Sequence, residues 1–181
     1  MLSVGDRFEN PKTGAVLEIV RAPGDGDTAL ELRRTIKRGN GKTLAHVHRD
    51  YTERFVVESG EALAKLDGRE HRLGPGDELE VALGQRHVNA YNAGVEDLVL
   101  GHAFTPASEF ALAYVETLGH MMRAGAADKQ GEVPVLAAFA IGRATRSRTY
   151  AAAVPEALQR GLVFPLGAAL TRIRGYQLQL G

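Results

Sequence analysis

The sequence predicts a small all-β barrel or sandwich followed by a helical segment. Three observations carry this. From residue 15 to about 104 the chain runs in short apolar or alternating stretches separated by turn residues. Those stretches are β-branched and charged in alternation, as a sheet with one buried face requires. After Pro106 the composition shifts to alanine, leucine and methionine at helical spacing.

The strand candidates are AVLEIV (15–20), TALELRRTI (28–36), ERFVVESG (53–60), EALAKLDGREHRL (61–73), DELEVAL (77–83) and EDLVLGHAF (96–104). The pair Asp67-Gly68 has the composition of a two-residue hairpin turn, and Gly24, Gly26, Asn40-Gly41, Gly60, Gly74-Pro75-Gly76 and Gly84 mark further reversals. About nine strands result. Ser108 is placed to cap a first helix with Phe110, Tyr114, Leu118 and Met121 on one face, ending near Gly125. A second helix is expected from Pro134 to Thr145, and a third from Pro155 towards Arg174, kinked or interrupted at Pro165. No repeat or low-complexity tract is present. The division is therefore one barrel unit over 1–105 and a helical extension over 106–181 that packs on the barrel or on a second subunit.

Composition narrows the function. Lysine plus arginine and aspartate plus glutamate number 22 each, so no net field draws nucleic acid or an anionic membrane. The N-terminus carries charges where a signal peptide has an apolar core, and no apolar run is long enough to span a bilayer, which predicts a cytoplasmic protein. There is no cysteine, so a metal would be held by nitrogen and oxygen alone.

The segment 41–60, GKTLAHVHRDYTERFVVESG, has the spacing of such a site. Alternate residues of a strand share a face, so His46 and His48 project together, about 7 Å apart. A polar turn, Arg49 to Thr52, separates them from Glu53, which opens the next strand with Phe55 and Val57 on its inward face. His87, in GQRHVNAYN, is the fourth ligand, brought across by barrel closure. Three imidazoles and one carboxylate leave an octahedral divalent ion two open positions, which suits chemistry better than scaffolding. Iron, manganese, nickel, copper, cobalt and zinc all fit such a donor set.

These residues resemble the two motifs of the cupin superfamily, single-domain and of the conserved-barrel type. His46, His48, Glu53 and Gly60 match the first; Pro75-Gly76-Asp77, Gly84 and His87 match the second. Two positions depart from it: Ala82 stands where a turn proline is usual, and Tyr91 where an asparagine is usual, with Asn92 one residue later. The resemblance implies a jelly-roll-like barrel holding one divalent metal. The helical tail is similar to that of a bacterial group of single-domain cupins with a C-terminal extension. Similarity to flavonol-cleaving cupins implies that Glu53 acts as a base.

Other residues read more plainly. Arg33, Arg34, Lys37 and Arg38 have the look of the solvated face of an edge strand, His102 of a core or surface residue, and His71 of an exposed one. His120 takes no role, and Tyr51 and Arg49 sit in the turn between the ligands, where proximity alone makes them candidates to touch substrate. No phosphate loop, serine elbow or DNA-recognition helix is present. The expected function is a metal-dependent, oxygenase-like enzyme acting on a small organic molecule in the barrel. The alternatives are a small-molecule binding or sensing barrel and a metal-dependent isomerase or decarboxylase. A homodimer is expected, with no nucleic-acid or membrane partner.

Overall fold

The computed structural model describes residues 1–24, 26–173, 175 and 178. Among them, eleven strands form two antiparallel sheets. The first has six: β1 (Arg7–Glu9), β2 (Val16–Arg21), β3 (Leu30–Ile36), β10 (Leu98–Thr105), β5 (Thr52–Ser59) and β8 (Glu78–Val81), in that spatial order. The second has β11 (Thr149–Ala151), β4 (His46–His48), β9 (His87–Asn92), β6 (Ala62–Leu66) and β7 (Arg69–Leu73). The mainly β fold with a helical C-terminal segment is as the sequence predicts.

Alternation makes the barrel. In β5 the buried positions are Glu53, Phe55 and Val57, and in β10 Leu98, Leu100, His102 and Phe104. Phe55, Val57, Leu98 and Leu100 join Leu66, Leu73 and Val81 in a core at one end of the barrel. Each such side chain contributes about 1.5–3 kcal/mol by leaving water. At the other end the polar members, Glu53 and His102, interrupt this apolar filling. Asp67 and Gly68 join β6 to β7 with φ of 48° and 84°, the left-handed pair that a two-residue hairpin requires.

The arginine-rich strand is not an edge. β3 lies between β2 and β10, so only Arg33 of its basic pair faces solvent, bound to Glu58, while Arg34 is buried. Lys37 pairs with Asp97 beyond the strand's end. His71, expected in solvent, is half-buried on β7 opposite Ala64. β1 precedes the first strand-like run of the sequence and pairs with β2.

The chain after Pro106 contains a strand as well as helices. Helix α1 (Glu109–Arg123) starts at Ser108, whose hydroxyl accepts from the Ala111 amide at 3.1 Å. Its Val115, Leu118 and Met121 pack on Phe8, Leu17, Ile19 and Leu30 in a second core shared with the barrel. The approach is close: a Cβ on Gly119 would lie 2.6 Å from the Phe8 ring. Phe110 and Tyr114, on the face predicted to be apolar, are only half-buried.

Helix α2 (Val135–Ala144) matches the predicted second helix, with Pro134 and Thr145 as its caps. Between it and the last helical run, β11 adds to the edge of the second sheet, pairing Thr149 with His48 and Ala151 with His46. The last run is α3 (Glu156–Leu158), a π turn (Gln159–Val163) and α4 (Phe164–Ile173). Pro165 has no N–H for the turn before it, and the chain answers with the wider π turn instead of a break. The predicted end at Arg174 lies outside the described residues. Buried Gln159 locks this run to β11: its amide donates to the Ala151 and Val154 carbonyls and accepts from the Ala151 N–H.

Candidate metal centre

Two sheets and three strands bring the predicted ligands together. Antiparallel β4 and β9 place His46 opposite His87, with ring centroids 4.1 Å apart. His48, two residues along β4, has its ring 6.1 Å from that of His46 and 4.8 Å from that of His87. Glu53 enters from β5 on the facing sheet. One ligand atom from each of His46, Glu53 and His87 lies within 4.8 Å of the other two, so this trio could hold a metal ion. His48 reaches the group through Glu53, its Nε2 standing 3.4 Å from Oε2.

The protonation pattern follows from the hydrogen bonds. His46 Nδ1 lies 2.8 Å from the Leu44 carbonyl and His87 Nδ1 lies 3.0 Å from that of Gln85. Carbonyls only accept, so both Nδ1 atoms donate and each ring turns its Nε2 to the interior. Burial first, then the neighbouring His87, pushes His46 down to about 4, which keeps it neutral near pH 7. Burial by itself would raise Glu53; the bond to His102 and the closeness of His48 and His87 overcome this and hold its carboxyl well below the usual range.

His87 Nε2 stands 3.0 Å from Glu53 Oε2. Both ring nitrogens of fully buried His48 lack any hydrogen-bond partner among the described residues. Buried polar atoms in that state are costly, and a cation beside Glu53 would give one of the His48 nitrogens a partner. The donor set, nitrogen and carboxylate oxygen only, fits a divalent first-row metal.

His102 was misplaced by sequence reasoning. On β10 its Nε2 lies 3.3 Å from Glu53 Oε1, and its ring is sandwiched between Phe55 and Phe104 at 4.4 and 4.2 Å. Burial lowers its pKa, so the neutral ring donates its Nε2 proton to the carboxylate and orients it. The signal in the sequence was its period-two spacing with Leu100 and Phe104; the register placing it beside β5 was not there to read. Tyr51 is also part of the site, buried with its ring stacked on His48 at 4.1 Å and its hydroxyl 3.3 Å from Thr149 Oγ1. Arg49, by contrast, points outward to Glu156.

A cavity of about 430 Å³ opens from His46, Glu53 and His102 towards the extension. Leu32, Phe104, Val115, Val133 and Phe139 form much of its apolar wall. Its roof is polar: Arg34 from β3 donates to Glu132 at 2.6 Å, and the Tyr114 hydroxyl donates to the same carboxylate at 3.2 Å. Glu132 was not singled out from the sequence, and Tyr114 was read only as part of the first helix's apolar face. Asn92, one residue late for the motif, serves the loop: its amide donates to the Ile36 and Glu96 carbonyls and accepts from the Gly94 N–H.

The family model described as the cupin domain matches residues 32–104, which include all four expected ligands. The match spans less than half of the chain. Solved structures similar to this chain include KdgF from a Halomonas species, at 21% identity over 55% of this chain and 86% of that one, TM-score 0.44. An RmlC-like cupin from Shewanella frigidimarina follows at 21% identity, 55% and 83% coverage and TM-score 0.43. A cupin 2 conserved barrel domain protein from Salinispora arenicola has 15% identity, 54% and 79% coverage and TM-score 0.43. No curated protein matches the sequence. Among the described residues, no helix is long and apolar enough to cross a membrane.

Proposed function

We propose that this protein is a metal-dependent enzyme, oxygenase-like in chemistry, that takes a small organic molecule into the cavity between barrel and extension. The observation that carries the reading is buried His48, whose ring nitrogens have no hydrogen-bond partner among the described residues, beside His87 and Glu53, with His46 and Glu53 lining an apolar-walled cavity. His46, His48, Glu53 and His87 would hold one divalent ion. When bound, it supplies a Lewis-acidic and redox-active centre with open positions for a chelating substrate and dioxygen.

The protein's own groups then divide the work. His46 and His87 are fixed in their ligating tautomer by the Leu44 and Gln85 carbonyls. Tyr51 holds the His48 ring by stacking, and His102 fixes Glu53 through Oε1. Glu53 as a base needs its Oε2 released from the histidines while His102 retains Oε1; the proton then arrives on Oε2. The walls exclude water from the substrate's apolar body. Arg34 is already neutralised by Glu132, so the roof offers no free positive charge to a second carboxylate. The favoured substrate is therefore an apolar molecule with adjacent oxygen donors at one end, such as a catechol, an enol or a diketone.

Elemental analysis of the purified chain beside a His48→Ala variant tests the metal, and oxygen uptake with chelating substrates tests the reaction. About one redox-active metal per chain, lost in the variant, with substrate-dependent oxygen consumption is expected. Saturable ligand binding without turnover would replace the enzyme by a sensing or binding barrel. No metal after reconstitution would overturn the centre itself.

A further inference from the structure

The cavity carries two polar side chains that neither the ligand cluster nor the roof uses. Asn89 and Gln130 both line it, and the side-chain oxygen of each, Oδ1 and Oε1, is buried with no hydrogen-bond partner among the described residues. Asn89 is only 8% exposed. The two residues come from distant parts of the chain and rest against the same segment. Gln130, in the loop between α1 and α2, accepts with its main-chain carbonyl from the Gly41 N–H at 2.8 Å, and the Asn89 N–H on β9 donates to Thr43 Oγ1 at 3.2 Å. Strand β9 is bent where it presents Asn89. Asn89 and Ala90 together stand opposite Ala64 of β6, a β-bulge, and bulges re-aim side chains. Asn89 thereby lines the cavity while Ala90, its neighbour, lies in the apolar core of the barrel.

A side-chain amide both donates and accepts, and leaving one buried without a partner is costly. A cavity wall with two of them is suited to a ligand that completes them. The charges nearby are already answered. Glu132 receives Arg34 on Oε1 and Tyr114 on Oε2, and Asp128 Oδ1 receives the N–H groups of Gln130 and Glu132. Lys42 and Lys129 also line the cavity but are exposed, and a charge pair in water gains little. The complement of the two amides is therefore a neutral group that donates and accepts.

We infer that Asn89 and Gln130 form a polar subsite for a hydroxyl or carboxamide carried by the small molecule that enters the cavity, and that they set its specificity. The inference rests on the proposed reading that such a molecule enters with its chelating end at His46 and Glu53; it requires no turnover. Asn89 follows His87 by two residues on β9, about 7 Å on an extended strand. The polar group accordingly stands about one six-membered ring away from the chelating oxygens.

Calorimetric titration of the full chain under nitrogen, with and without added manganese, tests this with three catechols. They differ only in the group para to one oxygen, which is hydroxymethyl, methyl or carboxylate. An apolar wall alone prefers the methyl compound, because burying an unpartnered hydroxyl is unfavourable. The subsite reverses that order, and the hydroxymethyl compound is expected to bind about 10-fold tighter than the methyl one. Asn89→Leu, close to asparagine in shape, should restore the preference for methyl by tightening its binding, a gain that a misfolded protein does not show. Gln130→Leu, in a half-buried loop, should narrow the preference and carries the test if the β9 variant fails to fold. Equal binding of the hydroxymethyl and methyl compounds, a preference for methyl, or a preference untouched by either variant would overturn the subsite and leave the cavity's role standing. Tightest binding of the carboxylate compound would assign that part of the cavity to Lys42 and Lys129 and overturn the inference equally. No binding of any of the three, with or without manganese, would remove the cavity reading and this inference together.

Discussion

Glu132 reaches from the extension into the barrel to meet Arg34, and the cost of removing it measures how firmly the two parts are joined. The Nη2–Oε1 distance is 2.6 Å, the two side chains are 9 and 4% exposed, and Tyr114 donates to the second oxygen. Burial alone would lower the Arg34 pKa, but the charge of Glu132 and the bond to it outweigh this, so the guanidinium stays charged. Glu132→Leu therefore strands a buried cation. Breaking one side of a buried pair costs about 3–5 kcal/mol. Because Arg34 borders a cavity that water can enter, the lower end, about 3 kcal/mol, is expected. With a urea dependence of about 2 kcal/mol per molar, the unfolding midpoint falls by about 1.5 M. Arg34→Met should cost a similar amount. The double variant Arg34→Met with Glu132→Leu should return to within about 1 kcal/mol of the parent, since two apolar side chains replace the pair without an orphan. Urea unfolding followed by circular dichroism measures all four proteins. Single variants that each lose under about 1 kcal/mol, or a double variant that loses the sum of the two, would refute the reasoning.

Three further outcomes follow from named contacts. His102→Phe keeps the packing between Phe55 and Phe104 but removes the donor to Glu53, so metal affinity should fall about 10–100-fold with stoichiometry unchanged, read by chelator competition. Gly68→Ala, at φ 84° with open space around it, should cost about 1 kcal/mol. Gly60→Ala, at φ 85° with its Cβ 2.6 Å from the Asp97 carbonyl, should cost clearly more; equal costs by thermal unfolding would contradict the close approach. Tyr114 is raised well above 10 by burial and then by Glu132. The unfolded chain releases that proton first, so this part of the stability is complete below about pH 10 and declines above it. Difference absorbance of tyrosinate against pH should show Tyr114→Phe removing a late-titrating group.

The clustering of His46, His48 and Glu53 was legible because the information is local. His46 and His48 share a face by strand alternation alone, and Glu53 follows after one short turn. The same holds for the Asp67-Gly68 hairpin, the Ser108 cap and the extent of α2, each set by neighbours within a few residues. Arg34 and His102 were misread for a common reason. Whether a strand is an edge, and which residue stands opposite, depends on pairing with a partner far along the chain: β3 with β10, and β10 with β5.

By itself, then, the sequence determined the β-then-helix order, the absence of cysteine and the shared face of His46 and His48 followed by Glu53, through periodicities that need no partner. Only the tertiary structure decided that β11 edges the strand of His46 and His48, that Glu132 seals Arg34 into the cavity roof, and that His102 braces Glu53. Those contacts join residues 98, 49 and about 100 positions apart, and a pattern of neighbours carries no record of register between such distant segments. Register is chosen by the burial of whole faces at once, so it exists only when the sheets have closed.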